Sequence, residues 1–360
     1  MAKKNFKYSR FRWLLFPLLA LLTFALTEIL NKHPHWTEQV YSRSIYPAIA
    51  SVLSSISSGV PFSLDDLFYL MLVIFFLSVL ALLLIRKISW KKAAKWILVT
   101  TALAYTGFYF LWGFNYFRQD LNTRLHLDIS QTDSSDYYRM LETLVAQTNN
   151  SWTPPEAFGK EQTSLLVENA LKKLAPALQI NYPAGKRRAK NITFSGFFAQ
   201  AGISGYYGPF FNEIHLNGKL LPVEYPFVLA HEKSHQLGVT SEAEANFLAW
   251  LVCTQSESRA LRYSANLAVL RYFLYQGSGQ EKVRKIASGL DKRVIDDLKR
   301  ISQHWRDLRN EKIDKAATQV NDAYLKTNKI EKGIRDYTGV VQYVLDYSLD
   351  QKFQQKIKAQ

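Results

Sequence analysis

The chain of 360 residues holds a single cysteine, Cys253, so no internal disulfide can close and the redox compartment stays open. Cys253 sits in an apolar, helix-like stretch and reads as a small core residue. Acidic residues are scarce: 30 Asp and Glu face 45 Lys and Arg, a formal net charge of +15. The shortage is sharpest before Asn115, where 4 acids stand against 12 basic residues, so about half of the excess charge belongs to that segment. The remainder is spread over residues 115–360, with one cluster at Lys186, Arg187, Arg188 and Lys190. A solvated face, or contact with anionic lipid or cell wall, accounts for this at least as well as nucleic acid, and no nucleic-acid partner is expected. Internal repeats and low-complexity tracts are absent.

The first third has long apolar runs instead. Three stretches, 13–30, 67–85 and 96–114, approach the roughly 20 residues needed to cross a bilayer. The first follows Lys3, Lys4, Lys7, Arg10 and Arg12 like a signal peptide, but no small-residue cleavage site follows it, so it reads as retained. Basic residues mark the cytoplasmic side. The N-terminus and the loop with Arg86, Lys87, Lys91, Lys92 and Lys95 are rich in them, whereas the loop between the first two stretches has only Lys32 and Arg43. Residues 1–114 are thus expected to be a membrane anchor of three transmembrane helices, with residues 115–360 an extracytoplasmic domain. Tyr41 to Ile56 reads equally as an amphipathic surface helix or an ordinary connecting one.

The expected fold class of the second part is α+β, dominated by helices. Helical patterns appear near 133–147 and 160–174, and again almost everywhere after Glu224. Between them, Gly196, Gly202, Gly205 and Gly208 punctuate aromatic and β-branched residues, and the alternation from Asn212 to Asn217 predicts a short strand, taken as the edge of a small sheet.

The chemistry centres on HEKSH, residues 231–235. Pro226 suits a first helical turn and Gly238 a C-terminal cap, so the motif lies on one short helix. Spacing of four puts His231 and His235 on one face, where two imidazoles can converge on a zinc ion. Glu232 stands beside them, suited to take a proton from an activated water and pass it to a leaving amine. A catalytic zinc needs a third protein ligand. A third His six residues after the second is missing, because Ser241 stands there, which excludes the metzincin pattern. Glu242 and Glu244 remain. Ser241 reads as an N-cap with Glu244 at the third helical position, aimed back toward the metal helix, so Glu244 is preferred to Glu242. Each also has a purely structural reading, Glu244 closing a capping box and Glu242 favouring the helix dipole.

With Glu244-Ala245-Asn246-Phe247 following it, the HExxH helix resembles the ImmA/IrrE-type metallopeptidases, whose third zinc ligand is the Glu of that second motif. The chain is more closely similar to a bacterial membrane-protein family of unassigned function that joins N-terminal spans to an HExxHxxG and EANF domain. Residues 205–213, the HEKSHQLG helix and EANF look like its three signatures. The resemblance implies a zincin-like metallopeptidase domain in a bacterial cell membrane and supplies no substrate. Glu213 and His215 on the strand, and Tyr206, Tyr207, Tyr324 and Tyr337, are candidates for substrate or oxyanion contacts. His33, His35, His126 and His304 have no partner at ligand spacing.

The expectation is therefore a membrane-anchored zinc metallopeptidase with one Zn2+ on His231, His235 and Glu244, acting on a protein or peptide with Glu232 as general base. Cleavage inside the bilayer is disfavoured by the polar residues at 219–224 and 233–244. The competing reading is a non-enzymatic membrane receptor or scaffold with a structural or degenerate metal site.

Overall fold

A computed structural model describes residues 12–127, 132–154 and 159–360. The basic residues Lys3, Lys4, Lys7 and Arg10 lie outside the described residues.

Four helices come first: α1 (Leu15–Lys32), α2 (Tyr46–Ser58), α3 (Leu64–Leu84) and α4 (Trp90–Leu111). Ser63 caps α3 by accepting from Asp66 N, and Asp65 and Asp66 in its first turn suit the positive end of the helix dipole. Two segments of 21 residues, Arg12–Lys32 and Leu64–Leu84, are long and apolar enough to cross a membrane. At 1.5 Å per residue, 21 residues cover about 30 Å, the thickness of a hydrocarbon core.

The expected count of three such helices is corrected to two. α4 carries Lys91, Lys92 and Lys95 in its first turns and threonines and tyrosines along its length, which dilute its apolar character. It also stops at Leu111, short of the expected boundary, and Gly113–Phe117 forms a 3-10 turn. α4 packs along α1, with the Thr23 and Thr106 hydroxyls 3.4 Å apart between them.

The stretch from Tyr41 to Ile56 packs one face into the protein and leaves Ile45, Val52 and Ile56 exposed on the other. Thr37–Ile45 forms a π-helical segment that leads into α2. Tyr41, Tyr46, Ala50 and Ser54 are buried, and the Tyr41 hydroxyl donates to Phe110 O at 3.0 Å.

Three short strands form one sheet, β1 (Ala189–Asn191), β2 (Gly205–Gly208) and β3 (Glu213–Leu216), in the order β1-β3-β2. β1 runs parallel and β2 antiparallel to β3. The expected strand thus exists as β3, but it is central and β2 is an edge, so Glu213 and His215 do not line a free edge. Ile214 and Leu216 face the hydrophobic core. On the other face, Glu213 Oε2 accepts from Ser63 Oγ at 3.2 Å and Asp65 N at 3.0 Å, and His215 Nε2 lies 2.7 Å from Ser63 Oγ. Lys190 of β1 ion-pairs with Glu213 and donates to Ser57 O and Phe62 O at 2.9 and 2.6 Å. The start of α3 is tied in this way to the middle of the sheet.

Later helices include α5 (Ser134–Ser151), α6 (Lys160–Leu174), α7 (Ser195–Gln200), α8 (Tyr225–Gln236), α9 (Glu242–Thr254), α10 (Arg259–Gln276), α11 (Lys292–Leu308), α12 (Glu311–Thr327) and α13 (Val340–Leu349). α8 and α9 are central: every α8 residue except Val228 is buried, as are Glu242 to Cys253 of α9. α8 packs against β2 and β3 on one side and α9 on another, while α10 and α13 cover α9.

Burial raises the Glu213 acid, but His215, Asp65 N and Lys190 outweigh it and hold the carboxyl down at about 2. Its contribution to stability is therefore present above its ordinary value of 4.5 and is lost as pH falls toward about 2. Glu213→Gln should leave a buried ammonium unpaired and lower stability by about 3 kcal/mol. Thermal unfolding of the full-length protein at neutral pH checks this, and an unchanged Tm would refute it.

Candidate metal centre

α8 begins at Tyr225 with Pro226 at its N-terminal turn, where the missing N–H costs nothing. It ends because Gly238 takes a left-handed conformation, φ 83°, that lets Gly238 N reach His235 O and Val239 N reach Ser234 O. A Cβ at Gly238 would also come within 2.9 Å of Asn115 Oδ1, so both conformation and space favour glycine.

One turn apart on α8, His231 and His235 bring their Nε2 atoms to 3.1 Å. The carbonyl of Val239 can only accept, so the 2.7 Å contact from His235 Nδ1 puts a proton there and aims the Nε2 lone pair at the centre. α9 supplies the third group, and it is Glu242: its Oε2 lies 3.2 Å from His231 Nε2 and 3.4 Å from His235 Nε2. The three potential ligand atoms lie within 4.8 Å of one another. Glu242 Oε2 is buried without a well-formed hydrogen bond. A buried carboxylate oxygen facing two imidazole nitrogens is a donor set suited to a cation.

The electrostatics agree. Burial would raise the Glu242 acid, but the imidazoles hold it far below the usual carboxylate range. Burial would lower His235, yet the charge of Glu242 pushes its imidazole up to about 9. Negative charge thus draws a positive species to this point.

Glu244, the preferred third ligand from sequence, is not brought to the histidines. Its Oε1 accepts from Leu121 N at 2.9 Å, and Oε2 pairs with Arg124 at 3.2 Å. Helical geometry explains the exchange. Residues two apart on a helix point about 200° apart, so only one of the two glutamates can face α8. The N-cap argument identified the cap correctly, since Ser241 Oγ accepts from Glu244 N, but the Glu244 side chain leaves for the buried guanidinium. Asp336 instead supports the cap, accepting from Ser241 Oγ at 2.8 Å and Ala243 N at 3.3 Å.

Glu232 is buried beside the pair of histidines, 4% exposed, and burial raises its acid against the lowering effect of His231 and His235. A Cβ on Gly205 would lie 2.6 Å from Glu232 Oε1, so the carboxylate crosses the start of β2 where only glycine leaves room. Gly205 was read in the sequence as turn punctuation, and its close approach to Glu232 had no signal there.

The other candidates divide. Tyr337 is close enough to Glu242 and Glu232 that its phenol, raised first by burial, is raised further by their charge. Tyr324 also feels Glu242, while its hydroxyl accepts from Tyr116 OH at 3.1 Å. Tyr206 is committed to Asp66, and the Tyr207 hydroxyl accepts from Asn212 Nδ2 at 2.8 Å. Glu213 and His215 face the start of α3, on the opposite side of β3 from Ile214 and Leu216. His33 stacks on Trp36, and His304 Nε2 contacts Lys219 O.

Sequence reasoning missed what holds α8 in place. Trp112 Nε1 donates to His235 O at 2.9 Å, and Tyr46 OH to Gln236 O at 2.6 Å. Arg118 donates to Gly238 O at 2.9 Å while gripping both oxygens of Glu38 at 2.8 Å. These groups bond to carbonyls at and just after the last helical turn, where intrahelical acceptors run short of donors. All four residues lie before residue 120, far in sequence from the motif.

Residues 41–345 match a family model described as "Protein of unknown function (DUF3810)". The chain belongs to this family. No curated protein and no solved structure matches it. The DUF3810 match begins at Tyr41 and so takes in α2, α3 and α4 together with α8 and α9, which joins the apolar helix α3 and the three-ligand cluster in one family unit.

Glu242→Gln should abolish metal uptake by the DUF3810 protein, whereas Glu244→Gln should retain one metal per chain and lose only stability, by about 3 kcal/mol, through the unpaired Arg124. Metal analysis of the two purified variants decides between the glutamates.

Proposed function

We propose that this protein is a membrane-anchored, zinc-dependent metallopeptidase. The observation that carries the reading is the convergence of His231, His235 and Glu242 with Glu232 beside them. A closed structural zinc site takes four protein ligands, whereas a catalytic one takes three and keeps a position open. Three donors form the cluster among the described residues, which favours catalysis over a structural or scaffolding role.

A zinc ion bound to these residues would supply Lewis acidity toward a scissile carbonyl and lower the pKa of a water. The rest of the chemistry belongs to the chain. Glu232, as a carboxylate, takes the proton of the attacking water and delivers it to the departing amide nitrogen. Its burial raises its proton affinity, which suits it to hold that proton between the two transfers. Tyr337 is the best-positioned candidate donor toward the developing oxyanion, since Glu242 and Glu232 are the charges its phenol senses. β2 is an edge strand, and its outer backbone groups offer an extended peptide a way to align.

In this reading α1 and α3 cross the membrane and α4 packs along α1. Tyr46, Ser63, Trp112 and Asn115 all bond to the part of the protein that holds the site, so the segments that carry them share its side of the membrane. The basic N-terminus and the basic segment 86–95 favour the cytoplasm for the opposite ends of the helices, which argues for an extracytoplasmic site.

Glu232→Gln should bind metal at wild-type stoichiometry and lose about 10²- to 10⁴-fold in turnover. A fluorogenic peptide library incubated with the full-length zinc-loaded protein and with the variant provides the test. Equal rates would defeat the mechanism.

A further inference from the structure

We infer that the substrate is the juxtamembrane segment of another membrane-embedded polypeptide, cut within about five residues of the end of its span. This rests on the peptidase reading and on membrane insertion of α1 and α3.

α3 has 21 residues, so its length is used up in crossing a hydrocarbon core, and its cap Ser63 marks the boundary. Ser63 is hydrogen-bonded directly to Glu213 and His215 of β3. From the other side, Trp112, the residue after α4, donates to the carbonyl of His235, itself one of the cluster. Ser63 at the start of α3 thus touches the sheet beside the cluster, and Trp112 touches the backbone of the helix that carries it, with no intervening stalk or spacer.

Two further features place the same level. Thr193 donates its backbone N–H to Asp66 in the first turn of α3 at 3.0 Å. The adjoining Phe194 and Phe197 are 57% and 58% exposed. Aromatic rings left bare at this height are what the interfacial region accommodates. Opposite, Lys329 pairs with Glu28 of α1 at 2.9 Å, and Asn328 accepts from Tyr109 of α4, which seats the end of α12 against the anchor.

β2 lies between these supports. Tyr206 bonds to Asp66 at the start of α3, while Tyr207 packs on Trp112 at the end of α4, ring centroids 5.1 Å apart. From the Gly205 end of β2, an apolar groove of about 400 Å³ continues between α7 and α12, lined by Phe197, Ala201, Ile203, Ile313, Ala317 and Val320. A chain emerging from a bilayer is apolar where it leaves the lipid, which fits this lining. An extended chain covers about 3.3 Å per residue, so five residues reach about 16 Å, enough to run from the boundary along a four-residue strand.

The test uses full-length protein in phosphatidylcholine and phosphatidylglycerol vesicles. The probes are model substrates with one leucine- and alanine-rich span followed by a degenerate ten-residue segment, joined directly or through a twenty-residue Gly/Ser spacer. Both are confined to the same membrane, so tethering raises local concentration in each, and the spacer isolates depth. The same degenerate segment without a span is the soluble probe. We expect direct-fusion cleavage within five residues of the span and at least a tenfold lower rate with the spacer. Phe194→Ser with Phe197→Ser should narrow that ratio. Equal rates for the two fusions, or cleavage of the soluble probe as fast as the direct fusion at matched concentration, would overturn the depth argument and leave the peptidase reading intact. No cleavage of any probe beyond the Glu232→Gln background would remove both.

Discussion

Two imidazoles and a carboxylate meet at one buried point between α8 and α9, and much of the surrounding structure keeps them there. Left to burial alone, Glu242 would be a neutral acid and His235 a neutral base. Their separation of 3.4 Å opposes both tendencies, holding the Glu242 acid down and the His235 imidazole up. In a low-dielectric interior such an arrangement demands fixed geometry, because a small retreat of either partner exposes the desolvation cost of the other. The fixation is visible. Val239 orients one ring, Asp336 and Ser241 hold the start of α9, Trp112 and Tyr46 bond to the last carbonyls of α8, and Arg118 bonds to the Gly238 carbonyl just beyond it.

Several of those supports come from the first third of the chain. The N-terminal segments and the cluster are therefore joined by hydrogen bonds to the backbone of α8 as well as by chain connectivity. A second tie runs through Glu213 and Lys190 to the carbonyls ending α2 and the cap of α3. Its members are buried and charged, so sliding the anchor against the sheet would break a paired interior charge rather than a surface contact.

Much of the site was legible because helical periodicity is local. HEKSH declares a turn with two histidines on one face, Gly238 declares where that turn ends, and Ser241 declares the next helix. The choice between Glu242 and Glu244 was not legible. Each fits the first turn of α9, and which one faces α8 follows from how the two helices cross. The strand at Glu213 was readable from alternation, but its central position was not, since strand order depends on partners that sequence does not name. The third apolar stretch looked like a span as a string of letters, while as a helix it begins with three lysines and packs on α1.

The sequence by itself determined the elements and the candidate groups: long apolar helices, of which it suggested three spans where the structure keeps two, a helix carrying His231, Glu232 and His235, a following helix opening with two acids, and a short strand. These are encoded by periodicity, caps and charge within a dozen residues, a range over which backbone geometry is fixed by neighbours. Only the tertiary structure decided that Glu242 joins the histidines, that Glu244 serves Arg124, that Gly205 makes room for Glu232, and that Trp112 and Tyr46 hold α8. The first depends on how α8 and α9 cross, and the others on contacts between segments about 30 to 190 residues apart. There the direction of a side chain is set by helix crossing and packing, which no local pattern specifies.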